Sequence, residues 1–591
     1  MIPERLEQLR AEMRARGIDV YLIPTADCHE SEYVGEHFKA RVFMTGFTGS
    51  AGTAVVTLTE AGLWTDGRYF IQAANQLKDT TVTLYRMREE GVPTVEAFLA
   101  DRLPEGGVLG FDGKVVNAHL GQDLAAIAAE KKGSLYTSED LVDLIWKDRP
   151  ALSCEPVWIL KEEYAGESRT SKIARVRTFM KENGANTHII TDLADTCWLF
   201  NIRGNDALHF PIALSFTILT ETEARLYIQQ KALSDEVRRE LEQDGVTLCE
   251  YGDVYEAVKQ LPVGTVLLDD RRVNYAIYSS LPEGLQIVSK NNPEQKMKSE
   301  KNETELKNLR IAHVKDGVAV TKFMYWLKKN VGKIPMNEVS VSDYLAKLRS
   351  EQEDFLDLSF NTIAGYNANA AMMHYSAKPG SAAELKPEGF LLVDSGGHYL
   401  QGSTDITRTF VLGPIPEEWK LHYTTVLRSM LNLSAAHFLY GCNGMALDML
   451  SRGPLWEMGL DYKCGTGHGV GYLLNIHEGP NSFRWNNAPT AIEEGTITTD
   501  EPGVYVEGSH GIRIENELIC KKAEKNEYGQ FMEFEMLTYA PIDLDAVEPK
   551  YMTDREKKVL NDYHELVYNT IAPYLTEEER EWLKVYTRPV A

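Results

Sequence analysis

Four carboxylates set in or beside apolar strands restrict this chain more than any other feature. FLLVD brings Asp394 to the end of an otherwise apolar run, and TDITRTF returns with Asp405. TDEPGVY carries Glu501, and GIRIEN carries Glu515 between apolar neighbours. The segments read as two β-hairpins with one acid in each strand. Paired strands lie about 4.8 Å apart, so both acids of a hairpin can approach one point. Taken singly, each acid reads as a surface residue. Interior-type strands argue otherwise, because an unpaired carboxylate in apolar surroundings is expensive. Convergence of all four creates six like-charge pairs, each repelling by roughly 4 kcal/mol at ~4 Å and an effective dielectric of about 20. Only a strong positive centre relieves this. Two divalent cations balance four carboxylates. An oxygen-rich site with one imidazole suits manganese, with cobalt, zinc or iron as substitutes. Paired metals sit ~3.5–4 Å apart with water or hydroxide between them, which is hydrolase chemistry.

The stretch CGTGHGVGYLLNIHEGP, residues 464–480, offers the imidazole. As a phosphate loop it fails, because Val470 stands where G-x-G-x-x-G needs its third glycine and no Gly-Lys-Ser/Thr follows. As a zinc clip it has only Cys464 and His468. Cys442 and Cys520 lack the paired spacing of a closed site. His468 therefore reads as a partner of the acids.

At 591 residues the chain has room for roughly three to four domains. A net charge of −25 argues against nucleic acid and against an anionic membrane surface. MIPERLEQLRAEMRARG is charged and lacks a signal-peptide core, and no apolar run is long enough to span a bilayer. Seven cysteines without CxxC spacing fit free thiols in a reducing cytoplasm.

The N-terminal half reads as α/β, with one plan written twice. RLEQLRAEMRARG–DVYLIPT is matched by SKIARVRTFMKENG–ANTHIIT, each a helix, a glycine stop and a strand, and each followed by a strand pair. KDRPALSCEP, residues 147–156, reads as a linker. The lysine-rich run 290–303 reads as an exposed connection. Beyond it, helices at 304–330 and 416–440 alternate with the acid-bearing hairpins, an α+β pattern. A strand and two acidic, aromatic-bearing helices close the chain, suited to core packing or to oligomer contacts. The expected domains are 1–150, 151–303, 304–530 and 531–591.

VDSGGHYLQGSTDITRT, GTGHGVGYLLNIHEGP, TDEPGVY and GIRIEN together resemble the pita-bread metallopeptidases. That family includes aminopeptidase P, prolidase and methionine aminopeptidase, with creatinase as a metal-free relative. FTGSAGTAVVT, WTDGRYFIQAA, CWLFNIRGND and FEMLTYAPID extend the likeness along the whole chain, in the order of the long, three-domain aminopeptidases P. The resemblance implies two creatinase-type α/β domains, a pita-bread catalytic domain and a C-terminal extension. It implies two manganese ions held by Asp394, Asp405, His468, Glu501 and Glu515, with Asp405 and Glu515 bridging, and a hydroxide between the metals as nucleophile. The reaction implied is removal of the N-terminal residue from peptides whose second residue is proline. Glu501 would also accept the water proton. His374 and His477 would contact substrate, with Cys464, Tyr505 and Arg513 around the pocket, and Arg513 orienting an acid ligand. A cytoplasmic homodimer is implied too. Position 464 departs from the family pattern, where histidine is usual. The rival readings are a prolidase acting on dipeptides and a catalytically reduced peptide-binding module. The presence of all five ligands disfavours the module.

Overall fold

The computed structural model describes all 591 residues, Met1–Ala591. They form two compact units: Met1–Glu162 with Glu167–Gln295, and Glu163–Gly166 with Lys296–Ala591. No helix is long and apolar enough to cross a membrane.

The first unit opens with the helix Ile2–Arg16, with a proline in its first turn. It stops at Gly17, whose φ of 69° is a left-handed conformation that costs glycine no Cβ strain. Six strands follow: β1 (Val20–Pro24), β2 (Thr53–Thr57), β3 (Ala61–Thr65), β4 (Val82–Arg86), β5 (Val108–Phe111) and β6 (Ser134–Tyr136). Their order in the sheet is β4-β3-β2-β1-β5-β6. A second sheet contains β7 (Thr187–Ile190), β8 (Ser215–Thr220), β9 (Ala224–Ile228), β10 (Val246–Cys249), β11 (Thr265–Leu268) and β12 (Gln286–Ser289), in the order β10-β9-β8-β7-β11-β12. The two orders are one topology. Strand directions repeat as well: the first three strands of each sheet are antiparallel and the outer strands join in parallel. The apolar run VYLIP follows from burial on both faces. Val20 and Leu22 enter one core with Val55 and Phe111, while Tyr21 and Ile23 enter another with Ala54 and Val56.

The lysine-rich connection is exposed only in part: Lys290 and Lys296 face solvent, but its other two lysines do not. Residues Pro293–Ser299 form a helix, and Lys298 and Lys301 are buried. Lys301 Nζ donates to the buried Glu478 carboxylate at 2.6 Å. A charge run reads as solvated only until a distant carboxylate supplies its partner.

In the second unit, the helix Glu303–Asn330 starts in a capping box. The Asn302 side chain accepts the N–H groups of Thr304 and Glu305 at 3.0 Å, and Glu305 accepts the Asn302 N–H at 3.0 Å. Its Val320, Phe323 and Leu327 pack on Leu391, Val393 and Phe410. Those residues belong to the three-stranded sheet β13 (Ile363–Tyr366), β14 (Phe390–Ser395) and β15 (Ile406–Val411). The helix predicted over 416–440 spans Glu417–Ser434 and is capped by Pro416. It ends early because β16 (His437–Leu439) pairs instead with Phe531–Glu533. Then come β17 (Gly467–Gly469), β18 (Glu478–Phe483), β19 (Ile497–Asp500), β20 (Gly503–Val506), β21 (His510–Arg513), β22 (Asn516–Asn526) and β23 (Gly529–Met536). The larger sheet has the order β16-β23-β22-β19-β17-β18, and β20 and β21 form a ladder of their own. Tyr423, Leu427 and Met430 pack beneath with Phe390, Ile512, Ile514 and Tyr563. Tyr563 belongs to the helix Asp554–Ile571, the first of the two helices that close the chain, and donates its hydroxyl to Ala540 O at 2.7 Å, so this aromatic serves the core.

Candidate metal centre

Strand register places the acids. Asp394 in β14 faces Thr407 in β15. Asp405 lies two residues before Thr407, just ahead of β15. The second acid pair sits where the long hairpin breaks. Asp500 faces Asn516 in one ladder and Gly503 faces Arg513 in the next. Continuing either register sets Glu501 opposite Glu515. The Glu515 N–H donates to Thr407 O at 3.1 Å, which ties the two hairpins together.

The donor atoms of Asp405, His468 and Glu515 lie within 4.8 Å of one another. His468 Nε2 is 3.5 Å from Asp405 Oδ2 and 3.4 Å from Glu501 Oε1. Its Nδ1 is 2.9 Å from Gly469 O. A proton there fixes the tautomer and leaves the Nε2 lone pair toward the acids. Arg513 donates from Nη2 to Asp394 Oδ2 at 2.5 Å, from Nε to Thr407 Oγ1 at 3.1 Å and from Nη1 to the Tyr505 hydroxyl at 2.7 Å.

One guanidinium does not neutralise this cluster. Burial first, then Glu515, Asp394 and Glu501, push the Asp405 carboxyl well above the usual range. Burial, then Glu501 and Asp394, do the same to Glu515 against the pull of Arg513. Burial pushes Glu501 up to about 7, with Arg513 opposing and Asp394 adding to the rise. Asp394 Oδ1 and Glu515 Oε1 are buried without a hydrogen-bond donor. Orphaned carboxylate oxygens, an oriented imidazole and excess negative charge are what a divalent-cation site presents. The residues present fit such ions.

Other side chains hold the acids in place. Thr407 Oγ1 donates to Glu515 Oε2 at 2.8 Å. Thr499 Oγ1 donates to Glu501 Oε1 at 3.3 Å and accepts the His468 N–H at 3.1 Å. Glu517 Oε1 accepts the Asp405 N–H at 2.6 Å and lies 3.0 Å from His313 Nε2. None of these stands out in the sequence. Three of them carry a signal: Thr407, Thr499 and Glu517 each lie in a strand two residues from an acid that sits just beyond that strand's end. His313 carries none, since it comes from the helix Glu303–Asn330.

His477 precedes β18, and its ring lies against His468 at 4.3 Å between centroids and 81° between planes. Gly467 lets the backbones close here, because a Cβ would meet Thr499 O at 1.8 Å. Cys464 sits on the loop before β17. The buried Arg452 fastens that loop, donating to the carbonyl oxygens of Cys464 at 2.6 Å and Tyr462 at 2.9 Å. Tyr505 is half-buried, and its hydroxyl is pushed up by burial, with Arg513 opposing and Cys464 adding to the rise. His374, half-buried, follows the turn Asn367–Ala371, whose Ala370 lies so close to Gly511 of β21 that a Cβ there would meet its carbonyl at 1.9 Å.

Residues 307–522 match metallopeptidase family M24, and residues 530–590 match the C-terminal region of that family. Residues 5–145 and 148–305 each match a creatinase/prolidase N-terminal domain. A probable Xaa-Pro aminopeptidase P of Paracoccidioides brasiliensis is 38% identical over 99% of both chains. The chain belongs to metallopeptidase family M24, in its aminopeptidase P branch. It is accordingly a metallopeptidase with two creatinase-type domains ahead of a pita-bread domain. Aminopeptidase P1 of Arabidopsis thaliana is 37% identical, covering 100% of this chain and 99% of its own. The crystal structure of an X-prolyl aminopeptidase from Caenorhabditis elegans, described as a cytosolic enzyme with a di-nuclear active site, superposes with a TM-score of 0.96 at 32% identity over 100% of both chains.

Proposed function

We propose that this metallopeptidase removes the N-terminal residue from peptides with proline at the second position. The observation that carries the reading is the convergence of Asp394, Asp405, His468 and Glu515 with Glu501 around orphaned oxygens, in a chain aligned end to end with Xaa-Pro aminopeptidases. The five side chains hold two divalent ions, manganese by our assignment, with cobalt, zinc or iron as substitutes. When bound, the ions polarise the scissile carbonyl and lower the pKa of water.

The chain's own groups do the rest. Asp394, Asp405, His468, Glu501 and Glu515 would hold the ions, and the donor atoms of Asp405, His468 and Glu515 already lie within 4.8 Å of one another. Glu501 takes the proton of the attacking water and passes it to the proline nitrogen as the bond breaks. Arg513 holds Asp394 in place through its 2.5 Å hydrogen bond. His477 and His374 donate to substrate carbonyl oxygens as negative charge develops there. Cys464 and Tyr505 line the pocket. Seven cysteines without a disulfide and the cytosolic worm relative support a cytoplasmic setting, and the resemblance supports a homodimer.

Hydrolysis of an Xaa-Pro-Xaa tripeptide beside the matching Xaa-Pro dipeptide tests the substrate class. The tripeptide should be cut at its first bond with much the higher kcat/KM. Cleavage of the dipeptide alone would make the chain a prolidase. Cleavage of neither would favour a peptide-binding module.

A further inference from the structure

The segment that carries His374 has little regular structure. It leaves β13 at Tyr366, passes through the turn Asn367–Ala371 and runs irregularly to a bridge between Asn337 and Glu384. One side chain from another element gathers it. Glu338 opens the helix Glu338–Ser350 and is fully buried, at 0% exposure. Its Oε1 accepts the Tyr366 N–H at 2.9 Å and Asn369 Nδ2 at 2.8 Å. Its Oε2 accepts the Tyr375 hydroxyl and the Ala383 N–H, each at 2.8 Å. The Glu338 N–H donates back to Ala383 O at 3.2 Å. All four donors to the carboxylate are neutral, and the carboxylate stands in the first turn of its helix.

These donors are spread along the segment: its start, its turn, the neighbour of His374 and its end. Asn369 also donates to the Tyr375 hydroxyl at 3.2 Å, which links the turn to the residue beside His374. At the start, Asn367 Oδ1 accepts the Phe390 N–H at 2.8 Å and so fixes the turn to β14, the strand of Asp394. Glycine at 511 lets that same turn press on the strand of Arg513. A buried carboxylate serving four neutral donors on one loop is costly to assemble unless the loop's conformation matters.

We propose that Glu338 is a positioning residue for catalysis: its carboxylate closes the segment 366–383 and so presents His374 to the substrate. The inference rests on the reading that His374 contacts substrate. Glu338→Gln keeps the shape but turns an acceptor pair into an amide that faces donors. The amides of 366–383, Tyr366 and Ala383 above all, should then lose hydrogen-exchange protection while β14 and β15 keep theirs. Bound metal should not change. On an Xaa-Pro-Xaa tripeptide, kcat should fall by about tenfold to 100-fold. In a His374→Ala background the same substitution should change kcat less than about twofold, because the group it positions is gone. Tyr375→Phe, which removes one of the four bonds, should act in the same direction more weakly and serves where Glu338→Gln does not fold. Unchanged exchange in 366–383, loss of protection throughout the unit, or an equal fall in kcat with and without His374 would each overturn the proposal. A wild-type protein inactive on the tripeptide would fault the substrate assignment instead, and the exchange pattern would still decide whether Glu338 closes the loop.

Discussion

Position 464 carries a cysteine where the resemblance leads one to expect histidine. The Cys464 carbonyl is held by Arg452, so the backbone there is fixed by a buried residue and not by the side chain at 464. The thiol lies near enough to Tyr505 to raise the pKa of its hydroxyl. A thiol is smaller than an imidazole and a weaker donor. Cys464→His should therefore change KM for Xaa-Pro-Xaa peptides by a fewfold and leave bound metal as it is. Steady-state kinetics and elemental analysis check this, and lost metal would place Cys464 in the centre itself. The four acids are legible residue by residue, because a carboxylate within an apolar strand is costly unless a cation or a donor meets it. Their helpers are legible only as strand residues two positions from an acid, and His313 not at all, since no local pattern reports a contact between residues 313 and 517.

Among elements, the strand breaks carry the chemistry. A continuous hairpin would alternate Glu501 and Glu515 with their neighbours along a flat face. Splitting it into β19–β22 and β20–β21 leaves both acids at the gap. The apolar pattern marks the strands but not the break, because each half has the same period. The end of the helix Glu417–Ser434 is hidden for a related reason: helix and strand both suit the apolar residues after it, and only pairing with β23 decides. The helix Asp554–Ile571 has its own titratable anchor. His564 is buried, and its Nε2 accepts the Ile542 N–H at 3.1 Å. Burial, helped by Arg408 and Arg588, pushes its pKa down to about 3. The unfolded chain takes up a proton near pH 6.5 while the folded chain resists until about pH 3. Stability from this residue is thus complete above about pH 6.5 and falls as the pH drops toward 3. His564→Gln, which keeps an acceptor for Ile542, should flatten that fall. Denaturant titrations at pH 7 and pH 4.5 would show it as a smaller difference in midpoint for the variant, and equal differences would count against the assignment.

For the whole molecule, repetition and charge say most. The two sheets of the first unit share one strand order and one set of directions. In the sequence this shows as helix, glycine, strand and strand pair in matching order, while the parallel outer strands leave no comparable mark because they are short. Lys298 and Lys301 belong to the same lesson at larger range: a lysine-rich run is read as surface, and only the fold brings Glu478 to it. Net charge of −25 argues against classes of partner and does no more. What joins the scales is the need of three buried carboxylates and a fourth, half-buried one for positive charge. The measurement closest to that need is the number of manganese ions retained per chain after loading and removal of free metal, in wild type and in Asp405→Asn. Two ions in the wild type and fewer in the variant are predicted. A wild-type chain that hydrolyses Xaa-Pro-Xaa while retaining none, or a variant that retains both, would contradict the two-ion centre.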